Sequence, residues 1–381
     1  MLLKRTSLLF LLTLITISTH SQETIEHNQA VSFGVAYTGD LLSNFSGGIK
    51  KGTAYLGLTE LDLTLNTEAA RLWKGGTFFL KASNTHGATP SEDLIGDIQI
   101  VSNIEAGKHT YLQEFWFKQQ IKNVEITIGL QDLNVEITRI ANGELFVHSS
   151  FGVLPIIALN LHAPIYPLTS TGITAKWNIN GNMSWLNAVY DGTPTDFDYN
   201  PYNLNWSLNQ GDGVLIVSEF QNQFEIHDKK GIYKVGAFIH NHFIERTFFS
   251  DFPDSLNTNT SGAYLNYEQQ LWHQKHKELN VFVHTGYSPS EISLNCFYFG
   301  MGINATGFLS KRNTDILGLA AAYAKLSNGL GHETIIELSW KHQICSYFFI
   351  QPDLQYIIHP AGSYSGLKNA LVGLMRIGFE L

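Results

Sequence analysis

Two cysteines, Cys296 and Cys345, in 381 residues leave no disulfide framework to staple the fold. Both lie in or beside apolar, strand-like runs, where a buried or lipid-facing thiol is expected. Long apolar runs are equally scarce. Outside the N-terminus no window approaches the roughly 20 apolar residues of a membrane helix. Positive charge is short as well: 24 Lys and Arg stand against 33 Asp and Glu, a net charge of −9. That balance argues against nucleic acid as a partner. Catalytic signatures are missing too, with no nucleophile elbow, phosphate loop, glycine fingerprint or HExxH pair. Fifteen histidines offer at best His240-Asn241-His242, two imidazoles on one strand face with no third ligand at a recognisable spacing. The expectation is neither an enzyme nor a metalloprotein, and no cofactor.

The N-terminus is the exception to the lack of apolar runs. Lys4 and Arg5 precede an apolar stretch from Leu8 to Ile17, followed by Ser18-Thr19-His20-Ser21-Gln22. This order predicts a secretory signal peptide over residues 1–21, with one domain over 22–381. Its removal takes two bases and no acid, leaving 22 against 33, a net charge of −11.

What the chain does have is alternation. Phe348, Ile350, Pro352, Leu354, Tyr356 and Ile358 interleave with Phe349, Gln351, Asp353, Gln355 and Ile357. Leu371, Gly373, Met375, Ile377, Phe379 and Leu381 interleave with Val372, Leu374, Arg376, Gly378 and Glu380. Alternate residues of a strand point to opposite faces, so each segment has an apolar face and a face carrying polar groups. A soluble sandwich shows the same alternation. An apolar strand that runs to the last residue favours a barrel, because in lipid the last strand must seal against the first.

Similar segments recur along the chain, about sixteen in all, each long enough for the roughly 9–11 residues of a tilted membrane strand. Counted back from the C-terminus, the short turns at Cys345, Lys311, Lys275, Lys229, Gly181 and Lys122 fall on one side. The long loops His86–Lys108, Asp191–Asp212 and Phe243–Thr260 fall on the other. This predicts an all-β, antiparallel up-and-down transmembrane barrel with short periplasmic turns and long extracellular loops. Tyr37, Tyr111, Trp177, Trp185, Tyr190, Trp272, Tyr287, Trp340, Tyr347 and Tyr356 stand near strand ends, as aromatic girdles do.

Ordered stretches of the chain stand out: Tyr37-Thr38-Gly39-Asp40 with Gly47-Gly48, Leu61-Asp62-Leu63, Gly96-Asp97-Ile98-Gln99, Leu112-Gln113-Glu114-Phe115-Trp116, Gly129-Leu130-Gln131-Asp132-Leu133-Asn134, and the run from Phe349 to Pro360. In this order they resemble carbohydrate-selective porins of the OprB type. The middle, roughly Asp191 to Lys325, matches only in general style. The resemblance implies a monomeric or homotrimeric outer-membrane channel through which small carbohydrates diffuse inward, with outer-membrane lipid around it.

A diffusion channel needs a wet lumen and groups that exchange water for sugar hydroxyls at little net cost. The inward-facing sets offer Glu60, Asp62, Glu114, Trp116, Glu125, Gln131, Gln351, Asp353, Gln355, Arg376 and Glu380. Glu114, Trp116, Asp353 and Arg376 are expected near the narrow zone. Charges inside a barrel also pair to hold the wall, and Arg376 with a carboxylate such as Asp353 is one such pair. Ser102–Glu105 and Asp132–Asn134 are loop segments that either fold into the pore or pin its loops. A barrel of different selectivity and a secreted β-rich carbohydrate-binding protein are the alternatives.

Overall fold

A computed structural model describes residues 29–208, 211–244, 256–289, 293–309 and 314–381. The expected leader over 1–21 and the expected turn at Lys311 lie outside the described residues.

The alternating segments form sixteen strands. They are β1 (Val31–Gly48), β2 (Gly52–Asn66), β3 (Gly76–Gly87), β4 (His109–Ile121), β5 (Val124–Gln131), β6 (Ser170–Asn178), β7 (Met183–Asp191) and β8 (Val214–Ile226). The second half holds β9 (Lys229–Ile244), β10 (Leu256–Gln274), β11 (Lys277–Tyr287), β12 (Asn295–Thr306), β13 (Ile316–Leu326), β14 (Gly331–Cys345), β15 (Phe348–Ile358) and β16 (Lys368–Glu380). Each pairs antiparallel with its neighbours, and β16 closes on β1 with Tyr37 opposite Phe379 and Asp40 opposite Arg376.

Closure turns the two faces of every strand into an outside and an inside. Leu354, Tyr356, Met375 and Phe379 are exposed on the outside, as are Ile173, Val189, Ile216 and Leu338 on other strands. Gln351, Asp353, Gln355 and Arg376 are buried on the inside. An apolar exterior that circles the molecule suits a hydrocarbon solvent.

One end carries tight turns. Lys122, His227, Asp228 and Lys275 have φ of 56°, 49°, 62° and 56°, the left-handed values that two-residue hairpins require. The other end carries the connections 88–108, 132–169 and 192–213. The sorting by length has exceptions. Only 49–51 and 327–330 join two strand pairs at the long-loop end, while 67–75 lies at the short-turn end. Strands β9 and β10 also run into the expected Phe243–Thr260 loop from both sides.

Part of the interior is a packed core. The 132–169 connection folds inward through three 3-10 turns and one helical turn, α1 (Pro155–Ala158). Its Leu133, Ile137, Phe146 and Phe151 join Leu215, Phe282, Ala320 and Ala322 of the wall in one buried cluster. The inner face of β13 is Gly318, Ala320, Ala322 and Ala324, small enough to admit the loop. A Cβ at Gly318 would stand 2.5 Å from a methyl of Leu145 and 2.7 Å from the Phe146 ring. Two residues expected in the girdle, Tyr111 and Tyr190, belong instead to this interior, at 2% and 3% exposure. For Tyr111 the cause is a bulge: Glu114 pairs with Lys81 but Leu112 with Ala82, so Gln113 is an extra residue, which reverses the faces beyond it.

Candidate functional site

Two loops enter the barrel, and wall carboxylates hold them. Glu219 of β8 accepts the backbone N–H of Thr138 at 2.8 Å. Glu268 of β10 accepts those of Ala141 and Asn142 at 3.1 and 2.8 Å. Glu337 of β14 accepts those of Val147 and His148 at 2.6 and 3.2 Å. Glu333, four residues earlier on the same face, accepts Ile98 and Gln99 at 3.1 and 3.2 Å and Ala361 at 2.8 Å. A carboxylate accepts such N–H groups more strongly than a neutral oxygen does, so the loops are tied to the wall where 3-10 turns leave donors free.

The C-terminal candidates take part in the same anchoring. Gln351 donates to the Leu145 carbonyl at 2.6 Å, and Gln355 to the Val101 carbonyl at 3.0 Å and to Asp353 Oδ1 at 3.0 Å. Arg376 forms a two-pronged pair with a carboxylate, but the partner is Asp40, not Asp353: Nε and Nη2 each lie 2.8 Å from an Asp40 oxygen. Closure of the barrel decides this, because it sets Asp40 directly opposite Arg376. Nη2 also donates to Asn103 Oδ1 at 2.7 Å, and the Ser102 hydroxyl to Asp40 at 2.7 Å. The Ser102–Glu105 segment thus pins a loop. So does Asp132–Asn134, where Asp132 accepts the Asn134 and Tyr166 N–H groups at 2.8 and 3.2 Å.

On the other side of β1 lies a strip of paired charges over β2 to β7. Lys81 Nζ sits 3.4 Å from Glu60 and 3.8 Å from Glu114. The Trp116 indole N–H donates to Glu114 at 3.0 Å, and its ring stacks on Phe79 with centroids 4.9 Å apart. Lys118 Nζ lies 5.3 Å above the Trp116 ring, 2.6 Å from Glu136 and 4.0 Å from Glu125. Lys176 completes the group at 3.6 Å from Glu136. Burial pushes the Glu136 carboxyl up, but Lys118 and Lys176 outweigh it and hold the group below its ordinary value. Gln131 donates to the Gly172 carbonyl at 2.8 Å and accepts from Thr174 at 2.9 Å. A cleft lined by Glu114, Trp116, Lys118, Gln131, Glu136 and Tyr190 opens along this strip.

The candidates therefore divide. Glu60, Glu114, Trp116, Glu125 and Gln131 come together at the strip, with Asp62 opposite Lys81 in register. Gln351, Asp353, Gln355 and Arg376 sit on β15 and β16, beyond β1 and beneath the loops, and Glu380 is exposed at the end of β16. Lys81, Lys118 and Lys176 did not stand out, though each falls on the inward set of its strand and was legible there. Glu333 and Glu337 share the inward set of β14 with Ile335, between the outward Ile336 and Leu338. Glu136 carried no signal, since it belongs to an aperiodic loop.

Asp97 joins the two inward loops: its Oδ2 lies 3.8 Å from Nε2 of His148. Both side chains are buried. Burial pushes the Asp97 carboxyl up to about 6 and the imidazole down to about 3. A carboxyl raised in the folded protein contributes stability below its unfolded value, and that contribution is lost as pH rises through about 6. By the same linkage the imidazole, held down at about 3, costs stability as pH falls below its ordinary value, so the Asp97 contribution is read as a difference: from pH 7 to pH 5 the unfolding free energy of the wild type in urea should gain on the order of 1–2 kcal/mol relative to Asp97→Asn. In Asp97→Asn this part of the pH dependence should vanish; an unchanged slope would exclude Asp97 as its source.

The chain matches the family described as carbohydrate-selective porin, OprB family, over residues 50–381. No curated protein sequence matches it. Among solved structures, the high-pH structure of Pseudomonas putida OprB superposes with a TM-score of 0.83 at 17% identity, over 92% of this chain and 94% of that one. The low-pH structure of the same protein gives 0.60 at 15% identity, over 92% and 93%. Salmonella typhi OmpF, in complex with daunomycin, gives 0.57 at 9% identity, over 94% and 99%. At these identities the likeness establishes the sixteen-stranded fold. The family match covers most of the chain, so the protein belongs to the carbohydrate-selective porin, OprB family, and is an outer-membrane porin for sugar-preferring passive diffusion.

Proposed function

We propose that sugars cross along the strip between Glu60 and Lys176, after a leader over 1–21 has directed the chain to export. The stacked Trp116–Phe79 pair, with Glu114 and Lys118 beside it, carries this reading. An aromatic face takes the apolar C–H side of a sugar ring, while flanking carboxylates, amides and ammonium groups exchange hydrogen bonds with its hydroxyls. Lys81, Lys118 and Lys176 each stand within 4.0 Å of a carboxylate, so a neutral hydroxyl displaces water or a weak partner rather than meeting a bare ion. Binding stays weak and flux continues. The reaction is passage itself and uses no nucleophile or cofactor. The residues under the loops, Gln351, Asp353, Gln355 and Arg376, act on passage by fixing where the loops stand.

The test is swelling of liposomes that hold the purified, heat-modifiable protein. Mono- and disaccharides should enter faster than polyols and amino acids of matched size. Trp116→Ala should slow sugar entry about two- to tenfold, the worth of one ring stack, and leave the polyol rate nearly unchanged. Entry that follows size alone in both proteins would sink the role of the strip while leaving the channel. If sugars show a preference that Trp116→Ala does not touch, selection occurs elsewhere in the barrel.

A further inference from the structure

The wall of the barrel is incomplete at one place, and the way it is mended exposes an unusual surface. Strand β5 has only eight residues. Its pairing with β4 begins at Phe115 opposite Leu130, after which the chain turns into the lumen. The upper half of β4, His109 to Glu114, therefore has no β5 partner. The 192–213 connection fills the gap. Leu112 donates its N–H to the Tyr202 carbonyl at 3.0 Å, and the Asn203 amide donates to the Leu112 carbonyl at 3.2 Å and to the Thr169 hydroxyl at 3.1 Å. Thr169 in turn donates to the Gln113 carbonyl.

The connection straddles the rim at this seam. On the lumen side Phe197 stacks on His109 and meets Tyr111 at a tilt, at 4.0 and 4.8 Å between centroids. On the outer side the Trp206 ring lies 5.9 Å from Phe115, a residue of the lipid-facing set. Leu130 shows how closely the loop covers the exterior. It points outward with Ile128, which is 51% exposed, yet Leu130 itself is 0% exposed and shares a crevice with Trp206. The loop thus lies against the outside of the wall.

Its own outer surface is uncharged, with large apolar and aromatic side chains interspersed with Asn205 and Ser207. From Tyr199 to Leu208 the sequence reads Tyr-Asn-Pro-Tyr-Asn-Leu-Asn-Trp-Ser-Leu, without a single charged residue. Tyr199, Tyr202, Leu204, Trp206 and Leu208 are all exposed, Leu204 and Leu208 at 65% and 75%. In water this would be an aggregation liability. Uncharged residues, tyrosines and a tryptophan beside leucines are instead the composition of a membrane interface.

We propose that Tyr199–Leu208 is a membrane-seated apron whose partner is the hydrocarbon of the outer leaflet, and that it seals the β4–β5 seam from the lipid side. Continuity decides for lipid over a second copy of the chain. The apron merges below with Phe115 and Ile128, and Ile173 and Val189 on the next strands are exposed to the same degree. No boundary separates it from the lipid-facing belt, as the edge of a subunit contact would.

Two measurements test the apron on the intact, reconstituted protein. Trp206 is one of seven tryptophans. In bilayers whose acyl chains carry bromine near the headgroup, Trp206→Phe should lower the lipid-quenched emission by up to about one-seventh and leave iodide-quenched emission unchanged. The reverse pattern would place Trp206 in water and overturn the proposal. The second sample is Leu208→Cys in a Cys345→Ser background, with a nitroxide on the new thiol. Its relaxation should respond to oxygen and be shielded from an aqueous nickel chelate. A nickel-accessible label would overturn the apron, and so would spin–spin broadening between copies, which would make the surface a subunit contact. Heat-modifiable migration of each variant confirms that the barrel has formed.

Discussion

Replacement of Arg376 by Met should cost about 3–5 kcal/mol of stability, because it leaves a buried carboxylate without its counter-charge. Asp40 is 0% exposed and receives both Nε and Nη2 of Arg376 at 2.8 Å. The Ser102 hydroxyl remains as a donor to it, but one neutral hydrogen bond does not offset an uncompensated buried charge. The pair also closes the barrel, joining the first strand to the last, and Asn103 hangs from the same guanidinium. Loss of Arg376 should therefore loosen the 88–108 loop together with the seam. Urea midpoints in detergent should fall sharply for the single variant, and single-channel traces should become noisier as the loop moves. Asp40→Asn in combination with Arg376→Met should recover more than half of the loss, since the charge that demanded compensation is gone. If the double variant is as unstable as the single one, packing at the seam matters and the ion pair does not.

The barrel was legible because its signal is local and repeated. Alternation at Phe348–Ile358 and Leu371–Leu381 names the inner and outer face residue by residue, and the structure keeps both assignments. Tyr111 shows the limit. A single extra residue, Gln113, reverses the face, and nothing in the alternation announces it. The pore was harder for a different reason. Period two tells inside from outside, but it cannot tell an inward residue that meets water from one covered by a loop. Gln131 and Gln351 look alike in the sequence, yet one flanks the open strip and the other binds a loop carbonyl. The covering loop is built of 3-10 turns held by distant carboxylates, such as Glu268 on the Ala141 turn, and such contacts leave no periodic trace. Net charge leaves the same gap, because the acid excess does not say where the acids stand: Glu219, Glu268, Glu333 and Glu337 accept backbone N–H groups, and the acids of the strip stand beside lysines.

That distribution makes Glu136 the residue whose loss should change selectivity most. It is the shared partner of Lys118 at 2.6 Å and Lys176 at 3.6 Å, and it stands on the inward loop where the cleft opens. Its carboxyl is held below its ordinary value by those lysines against the opposing effect of burial, so it stays ionised through the neutral range. Glu136→Gln keeps the size of the side chain and removes the charge. Lys118 retains Glu125 at 4.0 Å, while Lys176 loses the partner it has at this site. Near 4 Å in a wet lumen one charge is worth about 1 kcal/mol, which corresponds to roughly a fivefold change in relative permeability. The reversal potential in a salt gradient should move toward anions by that factor, and acidic sugars such as uronates should gain entry over neutral sugars of equal size. Neutral-sugar rates should change little, because the stacked Trp116 remains. Glu144→Gln is the control: it removes a carboxylate from a different pair, with Arg139 at 2.5 Å, and should move the reversal potential less. Equal shifts in the two variants would mean that the lumen responds to its total charge. A larger shift for Glu136→Gln would assign selection to the strip.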